Sequence, residues 1–334
     1  MAHYRLEKRD LGAFIENLSG QMEVIAPVKT PAGHVFKPIS NPQQADLSYG
    51  NTAYSTKRFF LPSMQPLLEY PLEGKKSFES LVPKSASRRI ILGARQCELH
   101  AINENDEFFL SRKPADPYYK AMRENTLIAV LQCKKAANEY CFCTSLGFDS
   151  VPDNHDLLMQ DEGDHYVVSA GSIAGDEIIS RAKLPKFGGA VSKPDIRCGT
   201  VLVKGAIEAL GKAFSDPIWD ATANRCISCG ACTLACPTCW CFDTQDQAEL
   251  GMKKAARMRE WDSCQFLEFG RIGGDFCFRR PRGSRVRHRV FHKFQYSIER
   301  FGKPTCVGCG RCLPICLTKI NHVEIMNKLA EKYK

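Results

Sequence analysis

Several features that would narrow the class of this chain are missing. Its opening residues, MAHYRLEKRDLGAFIENL, are charged and contain no apolar segment of the secretory type. The longest apolar runs, 89–94 and 126–131, are strand-sized and far too short to span a membrane. These absences lead us to expect a cytoplasmic protein with no membrane span. No G-x-G-x-x-G follows a predicted strand: Gly308-x-Gly310 lies in a cysteine loop, and Gly171 and Gly175 do not fit, so no dinucleotide site is read. There is no low-complexity segment. From Phe276 to Ile298 there is no acidic residue.

Cysteine is abundant, with 17 in 334 residues. Without an export signal, such thiols are expected to bind metal rather than each other. Eight of them repeat one pattern, C-x2-C-x2-C-x3-C. The first copy is Cys226, Cys229, Cys232 and Cys236, followed by Pro237; the second is Cys306, Cys309, Cys312 and Cys316. A cubane cluster takes one thiolate per iron. A tight loop reaches three corners, and in two-cluster ferredoxins the fourth cysteine of each run serves the other cluster. That rule assigns Cys226, Cys229, Cys232 and Cys316 to one [4Fe–4S] cluster and Cys306, Cys309, Cys312 and Cys236 to another. A zinc site would favour two separated pairs closing on one tetrahedral ion, which two four-cysteine runs match poorly. The second run departs in one respect: Cys316 is followed by Leu317, and Pro314 precedes it.

Charge is unevenly distributed. Residues 1–216 balance at 26 basic and 26 acidic, whereas 217–334 carry 20 basic and 11 acidic, so the whole net charge of +9 lies with the two runs. Each cluster with its four thiolates brings about −2, which offsets part of this excess.

We expect an α+β protein with two domains: a mixed α/β domain over 1–215 and a mainly helical dicluster ferredoxin-type domain over 216–334. Expected strands are 22–28, 89–94, 126–132 and 165–170. Expected helices are 4–18, 97–110, 203–214, 244–261 with Asp243 as N-cap, and 322–332. Turn clusters fall at 38–41, 62–66 and 152–154.

Nine cysteines lie outside the runs. Cys97, Cys133, Cys141 and Cys143 fall in the first domain, Cys97 and Cys133 just past predicted strands, where doubly wound sheets form sites. They read either as ligands of a third cluster or metal, or as small buried hydrophobes. Cys239, Cys241 and Cys264 are expected to pack around the nearer cluster, with a redox-active pair or a further centre as alternatives. Cys198 and Cys277 are read as isolated and structural. The acid-free stretch holds Arg279, Arg280, Arg282, Arg285, Arg287, Arg289 and Lys293 among aromatics. We read it as balancing anionic clusters and docking an acidic partner, rather than binding nucleic acid, because no nucleic-acid fold signature accompanies it.

These motifs resemble a known family, which comprises the iron–sulfur electron-transfer subunit of anaerobic sulfite reductase and the β subunit of NAD(P)-linked sulfhydrogenase. The sharpest pieces are CISCGACTLACPTCWC at 226–241, REWDSCQF at 259–266 and CVGCGRCL at 306–313. LGARQCE at 92–98, DPYYK at 116–120 and CFCT at 141–144 add to them. The chain departs from the family pattern at Glu98 and at Gly273-Gly274-Asp275. The resemblance implies cysteine at 97, 133, 141, 143, 239, 241 and 264. It also implies an electron relay, without catalytic residues of its own, that links a catalytic subunit to a flavin/NAD(P)H-binding subunit. The catalytic partner is of the sirohaem sulfite reductase type first and the nickel–iron hydrogenase type second. A thiol or heterodisulfide-type reductase using the surplus cysteines, and a nucleic-acid protein with structural clusters, are the competing readings.

Overall fold

The computed structural model describes residues 2–74, 77–83 and 87–334. The chain opens with β1 (Tyr4–Glu7), α1 (Leu11–Ser19), β2 (Glu23–Thr30) and β3 (Gly33–Pro38). It continues through β4 (Met64–Pro71), β5 (Glu79–Ser80), β6 (Arg89–Ala94), α2 (Gln96–Leu110), α3 (Pro117–Glu124) and β7 (Thr126–Leu131). Next come β8 (Leu157–Asp161), β9 (His165–Ala170) and α4 (Ile173–Arg181).

A seven-stranded sheet runs in the order β1-β9-β8-β7-β6-β2-β3. Its centre is parallel, with Ile25 beside Ile91 and Ile91 beside Ile128, and both margins are antiparallel. Parallel strands carry elements on both faces, so they read as unbroken apolar runs; all six residues of β6 are buried. Phe14, Ile15, Leu18 and Ile178 cover one face, and Phe60, Leu99, Ile102 and Phe109 the other.

Beyond residue 216 lie α5 (Ile218–Ala223), α6 (Ala231–Leu234), β10 (Phe242–Ala248), β11 (Lys254–Trp261), β12 (Arg271–Ile272), β13 (Phe276–Cys277), α7 (Arg282–Phe301) and α8 (His322–Lys332). In α7, Val286, Val290, Phe291 and Phe294 pack against Trp219 of α5 and Met326 and Leu329 of α8. Each such apolar side chain contributes about 1.5–3 kcal/mol on full burial. Gly302, with φ +73°, ends α7 in the left-handed conformation that a Cβ disfavours. Asn321 caps α8, its side-chain oxygen accepting from the Val323 and Glu324 amides.

The α+β class holds, and so do the strands at 89–94 and 165–170 and the helix at 322–332. Three expected helices do not. Residues 4–18 begin as a strand, and 203–214 form turns and a short 3-10 segment, Glu208–Lys212. The helix expected at 244–261 is a hairpin, with Asp243 inside β10 opposite Glu260 rather than at an N-cap. Its Gln, Ala, Glu, Lys and Arg favour helix locally, but tertiary pairing overrides that preference. The turn at Gly251–Met252, where Met252 takes φ +50°, folds β11 back onto β10, and β11 then finds a second partner in β4. The resulting sheet, β10-β11-β4-β5, joins strands from both sides of residue 216.

Candidate iron–sulfur sites

Each of two cavities is lined by cysteines from both runs. Cys226, Cys229, Cys232 and Cys316 line one cavity with Gly230, Gln265, Arg289 and His322, and Cys312 stands at the wall it shares with the second. Cys236, Cys306, Cys309 and Cys312 line a second with Phe142, Lys293, Arg289 and His322. Backbone amides point at the sulfurs: Ser228 N lies 3.4 Å from Cys226 Sγ, and Ile320 N lies 3.3 Å from Cys316 Sγ. Ser228 at φ +56° and Gly230 at φ +71° curl the first loop, and consecutive amides in such a curl form an anion-binding concavity. Among the described residues, no three His, Cys, Asp or Glu side chains close on a point as they would around a single ion. Thiols that rim a cavity without closing on one point suit a cluster rather than one metal atom.

Burial differs between the sites. Cys229 is exposed, with Ile227 and Leu317 exposed beside it, whereas Cys236, Cys309 and Cys312 are buried. The second loop is pressed against residues 140–143. A Cβ on Gly308 would stand 2.5 Å from Cys143 N, and one on Gly310 2.4 Å from Tyr140 O, so only glycine fits at either position.

The electrostatics fit anionic clusters. Lys57 and Lys293 are 4% and 6% exposed, yet among the described residues neither has a carboxylate partner. Lys57 Nζ donates to the carbonyls of Cys236 and Cys239 at 3.1 and 2.9 Å. Lys293 Nζ donates to Thr238 O and Oγ1 at 2.7 and 2.8 Å. Arg289 borders both cavities and reaches 3.6 Å from Cys239 Sγ. Buried cations without paired counter-ions are expensive, and the thiolates facing Lys57, Lys293 and Arg289 can balance them. Burial pushes the thiols of Cys232, Cys309 and Cys312 up to about 11, opposed by Arg289 at Cys232 and Cys312 and by Arg311 at Cys309. Iron binding must therefore displace protons from these thiols.

With this geometry in view, one comparison is decisive: residues 225–320 match the family model of the 4Fe-4S dicluster domain. The C-terminal region holds a 4Fe–4S dicluster domain. It carries two [4Fe–4S] clusters, which makes the chain an electron-transfer protein. The family resemblance read from the motifs also stands. Over 99% of its length the chain is 28% identical to sulfhydrogenase 2 subunit beta of Pyrococcus furiosus, 99% of which is covered. No solved structure matches. Among the described residues, no helix is long and apolar enough to cross a membrane.

The basic stretch is absorbed by the dicluster domain. It forms α7 and its approach, and most of its inner cations serve the protein's own groups. Arg285 donates to the carbonyls of Gln265, Arg279 and Arg280 at 3.0, 3.0 and 2.6 Å. Arg287 donates to Phe214 O at 2.9 Å and lies over the Phe214 ring. No helix was expected here, although the spacing of Val286, Val290 and Phe294 signals one.

Cys239, Cys241 and Cys264 gather beside Cys236 at the base of the β10–β11 hairpin. A hydrogen bond from Cys241, opposed by burial, leaves Cys264 lowered to about 6. Gln265 Nε2 stands 3.6 Å from Cys264 Sγ. Cys277 packs against Gly270 and Leu267 O, in keeping with a structural role. Cys198, expected to be isolated, is not: its sulfur lies 3.8 Å from Cys143 Sγ. Sequence reasoning gave no role to Lys57, Gln265, His322 or the Arg311–Glu98 pair: Gln265, Arg311 and Glu98 lie inside the family motifs but their partners are distant in sequence, and Lys57 and His322 belong to no motif.

Proposed function

We propose that Cys226, Cys229, Cys232 and Cys316 ligate one cluster and Cys306, Cys309, Cys312 and Cys236 the other, and that this cytoplasmic chain relays electrons within a multisubunit oxidoreductase. The exchange of Cys236 and Cys316 between the two cavities carries the ligand assignment. Exposed Cys229, flanked by Ile227 and Leu317, supports a docking face at the first cluster, with the second cluster deeper inside. The partners on this reading are a catalytic subunit together with a flavin/NAD(P)H-binding subunit. The motifs favour a sulfite reductase-type partner. The full-length likeness to a sulfhydrogenase beta subunit favours a nickel–iron partner as the second reading.

Native purification of the chain with its bound subunits tests the role. A co-purifying flavoprotein together with a sirohaem or nickel–iron protein is the expected result; a chain recovered alone overturns it. The ligand set is tested by Cys316→Ser, which should perturb the reduced EPR signal of one cluster and leave the other.

A further inference from the structure

We propose that Cys97, Cys133, Cys141 and Cys143 hold a third iron–sulfur cluster, in the N-terminal domain and next to the Cys306–Cys312 loop. The dicluster domain begins at residue 225 and leaves all four of these cysteines without an assigned role.

Separate elements bring these thiols together. Cys97 sits in the first turn of α2, immediately beyond β6, and Cys133 lies just beyond β7. Since β6 and β7 are parallel neighbours, both cysteines emerge at the same carboxyl edge of the sheet. Gln96 ties the two ends together by accepting from Cys133 N at 2.8 Å. The loop holding Cys141 and Cys143 closes over this edge. Cys133 is in electrostatic reach of Cys97, Cys141 and Cys143, and Cys198 joins the group through Cys143. The four proposed ligands are each between 5% and 8% exposed. Four buried thiols from different elements, gathered without a disulfide, are a ligand set rather than scattered small hydrophobes.

Two cations face the group. Arg311 Nη1 lies 3.9 Å from Cys97 Sγ, and Arg95 is close to Cys133 with its Nε buried and lacking any partner. An unpaired buried donor beside thiols indicates a missing acceptor, and the sulfurs of a cluster supply one.

The neighbour supports a redox role. Cys141 Sγ is 3.8 Å from Cys309 O, Phe142 N donates to Gly308 O at 2.8 Å, and Cys97 packs with Val307 and Cys309. One electron leaving the Cys306–Cys312 cluster is one electron gained by the third, with no proton or group transferred. On its far side, Cys133 lines a cleft with Tyr49, Arg95, Lys134 and Lys135, which gives the third cluster its own outlet to solvent.

The test uses the full chain, reconstituted anaerobically with iron and sulfide and assayed for iron, sulfide and zinc. Three clusters require about twelve irons, and two require about eight. We expect about twelve, falling by about four in Cys133→Ser and in Cys141→Ser, while the reduced EPR signals of the dicluster domain persist and Cys277→Ser retains the full count. The proposal is overturned by about eight irons that Cys141→Ser leaves unchanged, by zinc held in place of the third cluster, or by a Cys143–Cys198 disulfide in the anaerobically isolated protein. Should a variant fail to fold, the wild-type count decides. Failure of the dicluster assignment shows separately, as signals that Cys316→Ser does not perturb.

Discussion

Arg311 donates to Glu98 in an ion pair whose side chains are 2% and 1% exposed, linking the second cysteine loop to the first turn of α2. Glu98 is fully engaged: its other oxygen accepts from Ser55 Oγ at 3.0 Å and from Thr56 N and Oγ1 at 3.1 and 2.7 Å.

Glu98→Ala strands a buried guanidinium, which should cost about 3–5 kcal/mol. Denaturant unfolding of the reconstituted protein measures this as a lower midpoint. Pairing it with Arg311→Met should cost less than the two single changes added together, because no unpaired charge remains.

Gly310→Ala should abolish iron binding at the second cavity while sparing the first. The residue holds φ +72°, and the added methyl would meet Tyr140 backbone atoms that cannot yield. Iron content falling by about four, with the EPR signal of the first cavity retained, is the expected outcome. Gly302→Ala, at a helix end with open space around it, should cost only about 1 kcal/mol and no iron.

Arg289→Gln should lower the reduction potentials of both clusters. The guanidinium borders both cavities, and a nearby positive charge favours the more negative, reduced cluster. Potentiometric titration followed by EPR reads both shifts. The exposed Arg282, on the same helix, should shift neither when replaced by Gln.

Stability should fall as pH drops below about 6.5, the ordinary histidine value. Burial, reinforced by neighbouring cations, holds His288 down at about 4 and His292 at about 3. Because the folded values are depressed, the unfolded chain binds more protons between those values and 6.5, so stability is full above 6.5 and is lost on acidification. Replacing both with Gln should reduce this slope in unfolding experiments run across that range, while His322, also held by burial at about 3, retains part of it.

Duplex DNA and RNA should not be retained at about 0.15 M salt, because Arg285, Arg287 and Lys293 are engaged with the protein's own carbonyl groups. Retention that weakens steeply with added salt would restore the nucleic-acid reading.

The cysteine spacing alone made the dicluster legible, since eight ligands at fixed intervals leave few alternatives. Strands β6 and β9 and helix α8 were legible for a related reason: their apolar patterns and flanking signals agree with their tertiary surroundings. The β10–β11 hairpin was not, because residues with helical preference are held extended by a strand, β4, far away in sequence. Lys57 was opaque as well. Nothing local distinguishes it from a surface lysine until the fold buries it under Trp261 and the Cys236–Cys239 turn.

The ladder between β4 and β11 also sets an order of events during synthesis. Pro71 pairs with Lys254 and Met64 with Glu260, so more than half of the chain must be made between the early strand and its partner. The turn bearing Cys236, Cys239 and Cys241 leads directly into β10. The second cavity draws Cys236 from this turn and Cys306, Cys309 and Cys312 from near the end of the chain, so its lining is complete only when most of the chain has been made.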